Sequence, residues 1–336
     1  YWELAETLFR PEVFNPLVDQ LLGDWVSQSE IEGSRGIKQF LADRLKSVLY
    51  GGYPTAGDEP MIPQEFSIEG PAEANGYPAT NQPVAALSGR ADATATASVA
   101  VGGMIVDQWS QEDGTWSIGG VPLNPGINRI FVDTYGEPNA AGSRIERHTM
   151  DIWYDDGDVA DIAAMPVQDT VLDAASGPWR VSGSMVVPEG VTLTIEAGAT
   201  LYFERSAQLD VRGRLVAEGT EFERIRMTRE PGSSATWNGI DFDSDADNRL
   251  AYVDMEYASE SSSIRLSNSR VSIDNVTWAG TNGTILSISS SSVVVRNSVF
   301  PSTMAQAVSG HRALRSDPYI LFENNVFGVC TGHKQD

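Results

Sequence analysis

The chain reads as a mainly β, multidomain protein: a short α-helical opening, a β-sandwich, then a stack of parallel β coils. Three observations predict this. Only residues 1–50 space their apolar side chains with a helical period. From 84 to 156, short alternating runs separated by turn residues recur every ~8–12 positions, the pattern of an antiparallel sandwich. Beyond Trp179 short strands follow one another, and a six-residue pattern returns with its Asn at 275, 297 and 324, steps of 22 and 27 residues. A period of ~20–30 residues is the mark of coils that touch only their neighbours.

Composition narrows the possible functions. The 336 residues hold 46 acidic and 23 basic side chains, a formal net charge of −23. Phosphate recognition needs clustered Lys and Arg, so nucleic acid and anionic membranes are poor partners. No run of ~18 apolar residues exists, which excludes a helical membrane span. The single cysteine, Cys330, allows no internal disulfide and no Cys-based zinc site. No initiating Met or apolar leader opens the chain, and it ends after a strand-like run with no closing element. The expectation is an internal piece of a larger extracellular or cell-surface protein, truncated within its last coils.

In the opening segment, 1–53, Asn15-Pro16 reads as a helix start, with Leu17, Leu21, Leu22 and Trp25 following at helical spacing. Ser29-Glu30-Ile31-Glu32 fits a capping box, and Ile37, Phe40, Leu41, Leu45, Val48 and Leu49 form one apolar stripe before Gly51-Gly52. Such short helices cannot bury their own faces, so docking on an upstream domain is expected. The stretch Arg35-Gly36-Ile37-Lys38-Gln39-Phe40-Leu41-Ala42-Asp43-Arg44 resembles the C-terminal end of the CotH kinase-like family. That resemblance places the family's nucleotide and metal ligands upstream, so no catalytic residue carries over to this chain.

Residues 54–83 contain Pro54, Pro60, Pro63, Pro71, Pro78 and Pro83 with interspersed Gly, and read as an extended linker. The sandwich is expected over 84–158, with strands near 97–101, 104–108, 114–118, 128–133 and 145–154. Gly114-Thr115-Trp116 followed by Val121-Pro122-Leu123-Asn124-Pro125-Gly126-Ile127-Asn128 resembles bacterial immunoglobulin-like domains of secreted proteins. Trp116 and His148 are expected to be structural. Asp155, Asp156 and Asp158 end this domain in Asp155-Asp156-Gly157-Asp158, where closely spaced carboxylates make a calcium candidate or an ordinary acidic linker.

Over 159–336 the strands are expected at 185–187, 192–195, 200–203, 208–211, 214–217 and 224–228, each with one buried and one wet face. Few hairpin turn pairs join them, which favours stacked parallel coils over a meander. Ile273-Asp274-Asn275-Val276-Thr277-Trp278, Val295-Arg296-Asn297-Ser298-Val299-Phe300 and Phe322-Glu323-Asn324-Asn325-Val326-Phe327 align. Asn tolerates left-handed backbone at a corner and its amide can bond the next coil. Asn275, Asn297 and Asn324 are thus expected as an internal ladder, with Trp278, Phe300 and Phe327 stacked nearby. The run 187–200 and Trp237-Asn238-Gly239-Ile240 resemble secreted right-handed parallel β-helix proteins of the pectin-lyase-like kind. That superfamily holds polysaccharide lyases and hydrolases as well as non-catalytic surface proteins, and the fold does not choose between them.

Candidate chemistry is sparse, and no complete catalytic set is found. Asp241, Asp243, Asp245 and Asp247 alternate and, on one strand, would share an outer face as calcium candidates; calcium is a possible rather than a required cofactor. Asp241 with Asp243, or Asp254 with Glu256, are carboxylate pairs for general acid–base work, with Arg249 and Arg265 near. His311 is expected in an inserted surface loop, and the Ser-rich stretch 259–302 on exposed sheet and corners. The expected function is a non-catalytic adhesion, carbohydrate-contact and spacer module whose partners are extracellular polysaccharides or surface proteins. The alternatives are a polysaccharide lyase or glycoside hydrolase, and an accessory region of a CotH-like kinase.

Overall fold

The computed structural model describes residues 10–22, 25–33, 36–50, 66–258, 262–311 and 319–328. Contacts divide the chain into a helical unit, Tyr1–Glu65, and a β unit, Phe66–Asp336.

In the helical unit, α1 is Pro11–Leu22, α2 Gln28–Glu32 and α3 Ile37–Tyr50. The first helix begins at Pro11, five residues before Pro16, the expected first helical residue. Pro11 takes the first-turn position, the amides of Val13 and Phe14 donate to the Arg10 carbonyl, and Pro16 is tolerated inside. The capping box forms two residues earlier than Ser29-Glu32: the Ser27 amide and hydroxyl both donate to Glu30 Oε2, at 3.1 and 2.5 Å. Lys38 joins the helices, with Nζ 2.7 Å from Asp19 and a second ion pair to Glu32. Val18 and Ile31 are buried, while Val13, Leu17, Leu21, Trp25 and Phe40 are exposed. Gly51-Gly52 and Cys330 lie outside the described residues.

The β unit opens as a two-sheet sandwich. One sheet has four strands, Ser67–Glu69, Val84–Arg90, Thr115–Pro122 and Gln108–Trp109 in spatial order. The other has six: Glu73–Ala74, Tyr77–Thr80, Arg144–Tyr154, Gly126–Tyr135, Ser98–Val101 and Met104–Ile105. Leu87, Trp116 and Ile118 of the first sheet meet Val99, Val101, Ile130, Val132 and Ile152 of the second in one core. Residues 67–80, read from sequence as linker, instead supply three strands. Beyond Pro78 the ladder continues: the Ala79 amide donates to the Ala72 carbonyl and the Thr80 carbonyl accepts from the Asp155 amide. Trp116 is buried, and His148 stacks on Phe66 with ring centres 3.7 Å apart.

From Ala160 the chain winds into a parallel β-solenoid of three sheets. Sheet one has eight strands: Ala160–Asp161, Trp179–Val181, Thr200–Phe203, Ile225–Thr228, Val253–Glu256, Thr277–Ala279, Val299–Phe300 and Val326–Phe327. Sheet two has seven: Thr170–Leu172, Thr192–Ile195, Arg214–Glu218, Asp247–Ala251, Arg270–Asp274, Ser292–Arg296 and Ile320–Glu323. Sheet three has six: Ser184–Val187, Gln208–Val211, Ile240–Phe242, Ser262–Ser267, Thr284–Ser289 and Gln306–His311. Ile195, Ala217, Leu250, Ile273 and Val295 line up in register on sheet two and point inward, one per coil. This column alternates with polar residues because only one face of the sheet is covered. Trp237 is buried among these side chains, stacked on Phe203 at 3.8 Å, with its Nε1 donating to the Glu256 carbonyl at 2.7 Å.

Asn275, Asn297 and Asn324 all adopt positive φ, between 50° and 54°, at the corner between sheets two and one. The expected internal ladder is an outward one. Asn324 Nδ2 donates to Asn297 Oδ1 at 2.7 Å, and Asn297 Nδ2 donates to Asp274 Oδ1, not to Asn275, whose own amide also ends on Asp274. Asn297 and Asn324 are exposed, because an αL corner residue turns its side chain away from the coil interior. The internal ladder is made by serine instead. The Ser244 amide donates to Ser269 Oγ and the Ser269 amide to Ser291 Oγ, at 3.0 and 2.9 Å, all three residues being buried. Trp278 stacks on Phe300 at 5.0 Å and Phe300 on Phe327 at 4.5 Å.

Candidate functional site

Three strands of sheet one break the one-wet-face expectation. Thr200–Phe203, Ile225–Thr228 and Val253–Glu256 are buried at every position. Their outward side chains include Thr200, Tyr202, Arg226, Thr228, Asp254 and Glu256, which the sandwich covers.

The covered face holds an ion cluster shared between the two parts. From the sandwich come Arg129 and Asp151; from the solenoid, Arg224, Arg226, Asp254 and Glu256. Arg129 Nε donates to Asp151 Oδ1 at 2.9 Å, and its Nη1 sits 3.1 Å from Asp254 Oδ2. Arg226 Nη2 reaches Asp151 Oδ2 at 2.6 Å and Glu256 Oε1 at 2.9 Å. Arg224 and the Thr277 hydroxyl both donate to Asp254 Oδ1, at 3.0 and 2.5 Å, and Thr228 donates to Glu256 Oε2 at 2.8 Å. Three guanidiniums therefore face three carboxylates, and the cluster carries no net charge. Burial works against ionised Asp151, but the Arg226 and Arg129 guanidiniums outweigh it and hold the carboxyl at about 2. Burial likewise opposes ionised Asp254, and Arg129, Arg224 and Arg226 together hold its carboxyl below the ordinary range.

Around this cluster the fit is close. Thr200 Oγ1 accepts from the Ile127 amide at 3.0 Å. At the rim, Arg147 forks onto Asp133, both contacts at 2.7 Å, and donates to Glu221 of the solenoid at 2.6 Å. Its guanidinium also lies 4.5 Å from the ring centre of Phe131, whose edge packs against Phe222 of the solenoid. Asp254 and Glu256, a carboxylate pair in the sequence reading, thus have their oxygens bound inside the junction. An Arg-bound pair closed off from solvent has neither the free proton nor the access that acid–base work requires.

Sheet two presents its outer face to solvent. A groove of about 450 Å³ runs over it, lined by residues from Glu218 to Tyr319. Ion pairs cross from coil to coil: Arg249 to Glu218 at 3.2 Å, Arg270 to Asp247 at 3.1 Å and Arg296 to Glu323 at 2.8 Å. Exposed Tyr319 stands at one end.

On sheet three, Asp210, Asp241 and Arg265 occupy one register column on successive coils. Gln208 Nε2 donates to Asp210 Oδ1 at 2.5 Å and to Asp241 Oδ2 at 2.8 Å, and Arg265 pairs with Asp241. Burial pushes the Asp241 carboxyl up and neighbouring Asp210 adds to this, against the pull of Arg265. Asp241 Oδ1 has no hydrogen-bond partner among the described residues.

The four alternating aspartates do not share a face. Asp241 belongs to sheet three and Asp247 to sheet two, because the chain turns between them at buried Ser244, whose hydroxyl donates to the Gly213 carbonyl. Asp243 and Asp245 are exposed in that turn. Asp155, Asp156 and Asp158 are also exposed, and two of them cap backbone amides: Asp155 Oδ1 accepts from Gly157 and Asp156 Oδ1 from Asp158. Among the described residues no three His, Cys, Asp or Glu side chains converge as a metal site. His311 closes a sheet-three strand and is not in an inserted loop. No described helix is long and apolar enough to cross a membrane. The sequence reading singled out Asp254 and Glu256 of the sandwich–solenoid cluster as an acid–base pair and missed Arg129, Asp151, Arg224 and Arg226; Arg226 between apolar Ile225 and Met227 was a further signal. No family model, curated protein or solved structure matches the chain.

Proposed function

We propose that this chain is a non-catalytic contact and spacer module of a secreted or cell-surface protein, and that sheet two is its carbohydrate-contact face. The groove of coil-to-coil ion pairs over sheet two carries this reading. A charged side chain fixed by its partner offers hydrogen bonds in a set direction and loses little freedom when a ligand arrives. The junction supports the spacer part, since two buried Arg–carboxylate contacts, Arg129 to Asp254 and Arg226 to Asp151, and the rim contact of Arg147 with Glu221 hold the sandwich against sheet one and leave sheet two free. Glycan-array binding by the chain, lost in an Arg249→Gln/Arg270→Gln variant that melts normally, is the expected result. An array without signal removes the contact function.

A second reading rests on sheet three, where Asp241 combines a raised pKa with a neighbouring carboxylate and Arg265. It makes the protein a polysaccharide hydrolase or lyase. Release of reducing ends or unsaturated products by the chain, abolished in Asp241→Asn, would establish it. Glycan binding without turnover rejects it.

A further inference from the structure

We propose that the sheet-two groove takes an uncharged, polyhydroxylated polysaccharide strand and discriminates against acidic ones. This rests on the contact-face reading above and adds the chemical class of its ligand.

The argument is a charge count. From Arg214–Glu218 to Ile320–Glu323, the five strands under the groove carry Arg214, Arg249, Arg270 and Arg296 against Glu218, Asp247, Asp274 and Glu323. Four positive charges meet four negative ones, so the face is neutral on a chain whose net charge is −23. A polyanion gains affinity by neutralising its charges on surplus Lys or Arg and releasing counterions. No such surplus exists on these strands. A ligand carboxylate at Arg270 or Arg296 would find that charge already neutralised and would be repelled by Asp247 or Glu323, paired 3.1 and 2.8 Å away. It would also approach through the negative field of the whole chain.

Hydroxyl groups face neither obstacle. Each is donor and acceptor at once, and can bridge a guanidinium N–H and a carboxylate lone pair without breaking their ion pair. A guanidinium has five N–H donors, and the direct pairing of Arg249 or Arg270 with its carboxylate engages one nitrogen. Ser272, between Arg249 and Val294 in the central register column, adds a hydroxyl to the floor, and Tyr319 offers a half-exposed ring for a sugar face. Five strands spaced ~4.8 Å apart give a track of roughly 19 Å, the length of a short oligosaccharide.

The test is an array of neutral glycans (glucan, mannan, galactan, xylan) beside polyuronates and sulfated glycans, probed with the full chain at about 50 and 200 mM salt. Binding to neutral glycans that changes less than about twofold over that range is expected, because no counterions are released. Arg270→Gln and Arg296→Gln should each weaken it about tenfold or more, by removing charged hydrogen-bond donors. Binding confined to acidic glycans, falling steeply with salt, overturns this inference and leaves the contact-face reading standing. Neutral binding untouched by both variants moves the ligand off this groove and also overturns it. No binding to any glycan overturns both.

Discussion

Arg226 of the solenoid donates from Nη2 to Asp151 Oδ2 of the sandwich at 2.6 Å, with the Arg226 side chain 2% exposed. The same guanidinium serves Asp254 and Glu256, so its loss leaves three carboxylates with only Arg129 and Arg224 among them. Breaking a buried ion cluster from one side typically costs ~3–5 kcal/mol, since the remaining charges stay desolvated. Arg226→Met should therefore lower the unfolding free energy by about that amount in urea titrations. Arg249→Gln, at a pair half in solvent, should cost less than ~1 kcal/mol. Equal costs would mean that the junction is no more demanding than the surface.

The junction also sets the response to acid. Asp151 has its folded pKa lowered to about 2 from an ordinary 3.8. A lowered carboxylate pKa gives stability that is fully present above the unfolded value and lost as pH falls through the folded one. Asp254 shifts in the same direction. Thermal melts should therefore show no loss from these two groups between neutral pH and pH 5, then a progressive fall from about pH 4 to pH 2, on the order of 2 kcal/mol for Asp151. In Asp151→Asn that acid-dependent portion should shrink. A wild-type decline already complete at pH 5 would contradict the Arg-held carboxylates.

Asn297 combines two demands, a φ of 50° and a place in the outward amide chain, where it accepts from Asn324 and donates to Asp274. Asn297→Ala loses the bonds and keeps the unfavourable backbone, for a cost of ~1–3 kcal/mol. Asn297→Gly relieves the backbone alone and should recover about half of that. Urea titrations of the two variants separate the contributions. If glycine were no better than alanine, the amide chain and not the corner geometry would explain Asn at this position.

The coil stack was legible because its signal is local and repeated. Strand bounds such as 192–195 and 208–211 follow from alternation, and the Asn corners follow from a residue type that accepts left-handed backbone. What sequence missed depends on neighbours distant in the chain. Arg226, Asp254 and Glu256 alternate with apolar residues like any wet face, and only the sandwich laid over them makes them buried. Serine misled in the other direction. A serine in a coil reads as an exposed hydroxyl, whereas Ser269 is buried, with its Oγ donating to the Ser267 carbonyl and accepting from the Ser244 amide. Prolines at 71, 78 and 83 suggested a linker, because nothing local shows that Tyr77–Thr80 lies beside the end of Arg144–Tyr154.

Gly126 tests whether the sandwich and solenoid depend on their close fit. Its φ is 104°, where an L side chain is strained whatever its surroundings, and a Cβ built there would lie 2.5 Å from the Thr200 side chain. Thr200 is itself fixed, buried in sheet one and bonded to the Ile127 amide. Gly126→Ala therefore has two costs: backbone strain of ~1–3 kcal/mol, and overpacking of similar size that only separation of the two parts can relieve. Separation would loosen the already exposed link Asp155–Asp158, whose flanks are pinned on the sandwich at Thr80 and on the solenoid at Pro178, so limited proteolysis should cut there faster in the variant than in the wild type. Adding Thr200→Ala removes part of the clash and leaves the strain, so the double variant should be cut more slowly than Gly126→Ala alone. Identical cleavage of wild type and Gly126→Ala would show that the contact at Thr200 does not hold the junction closed.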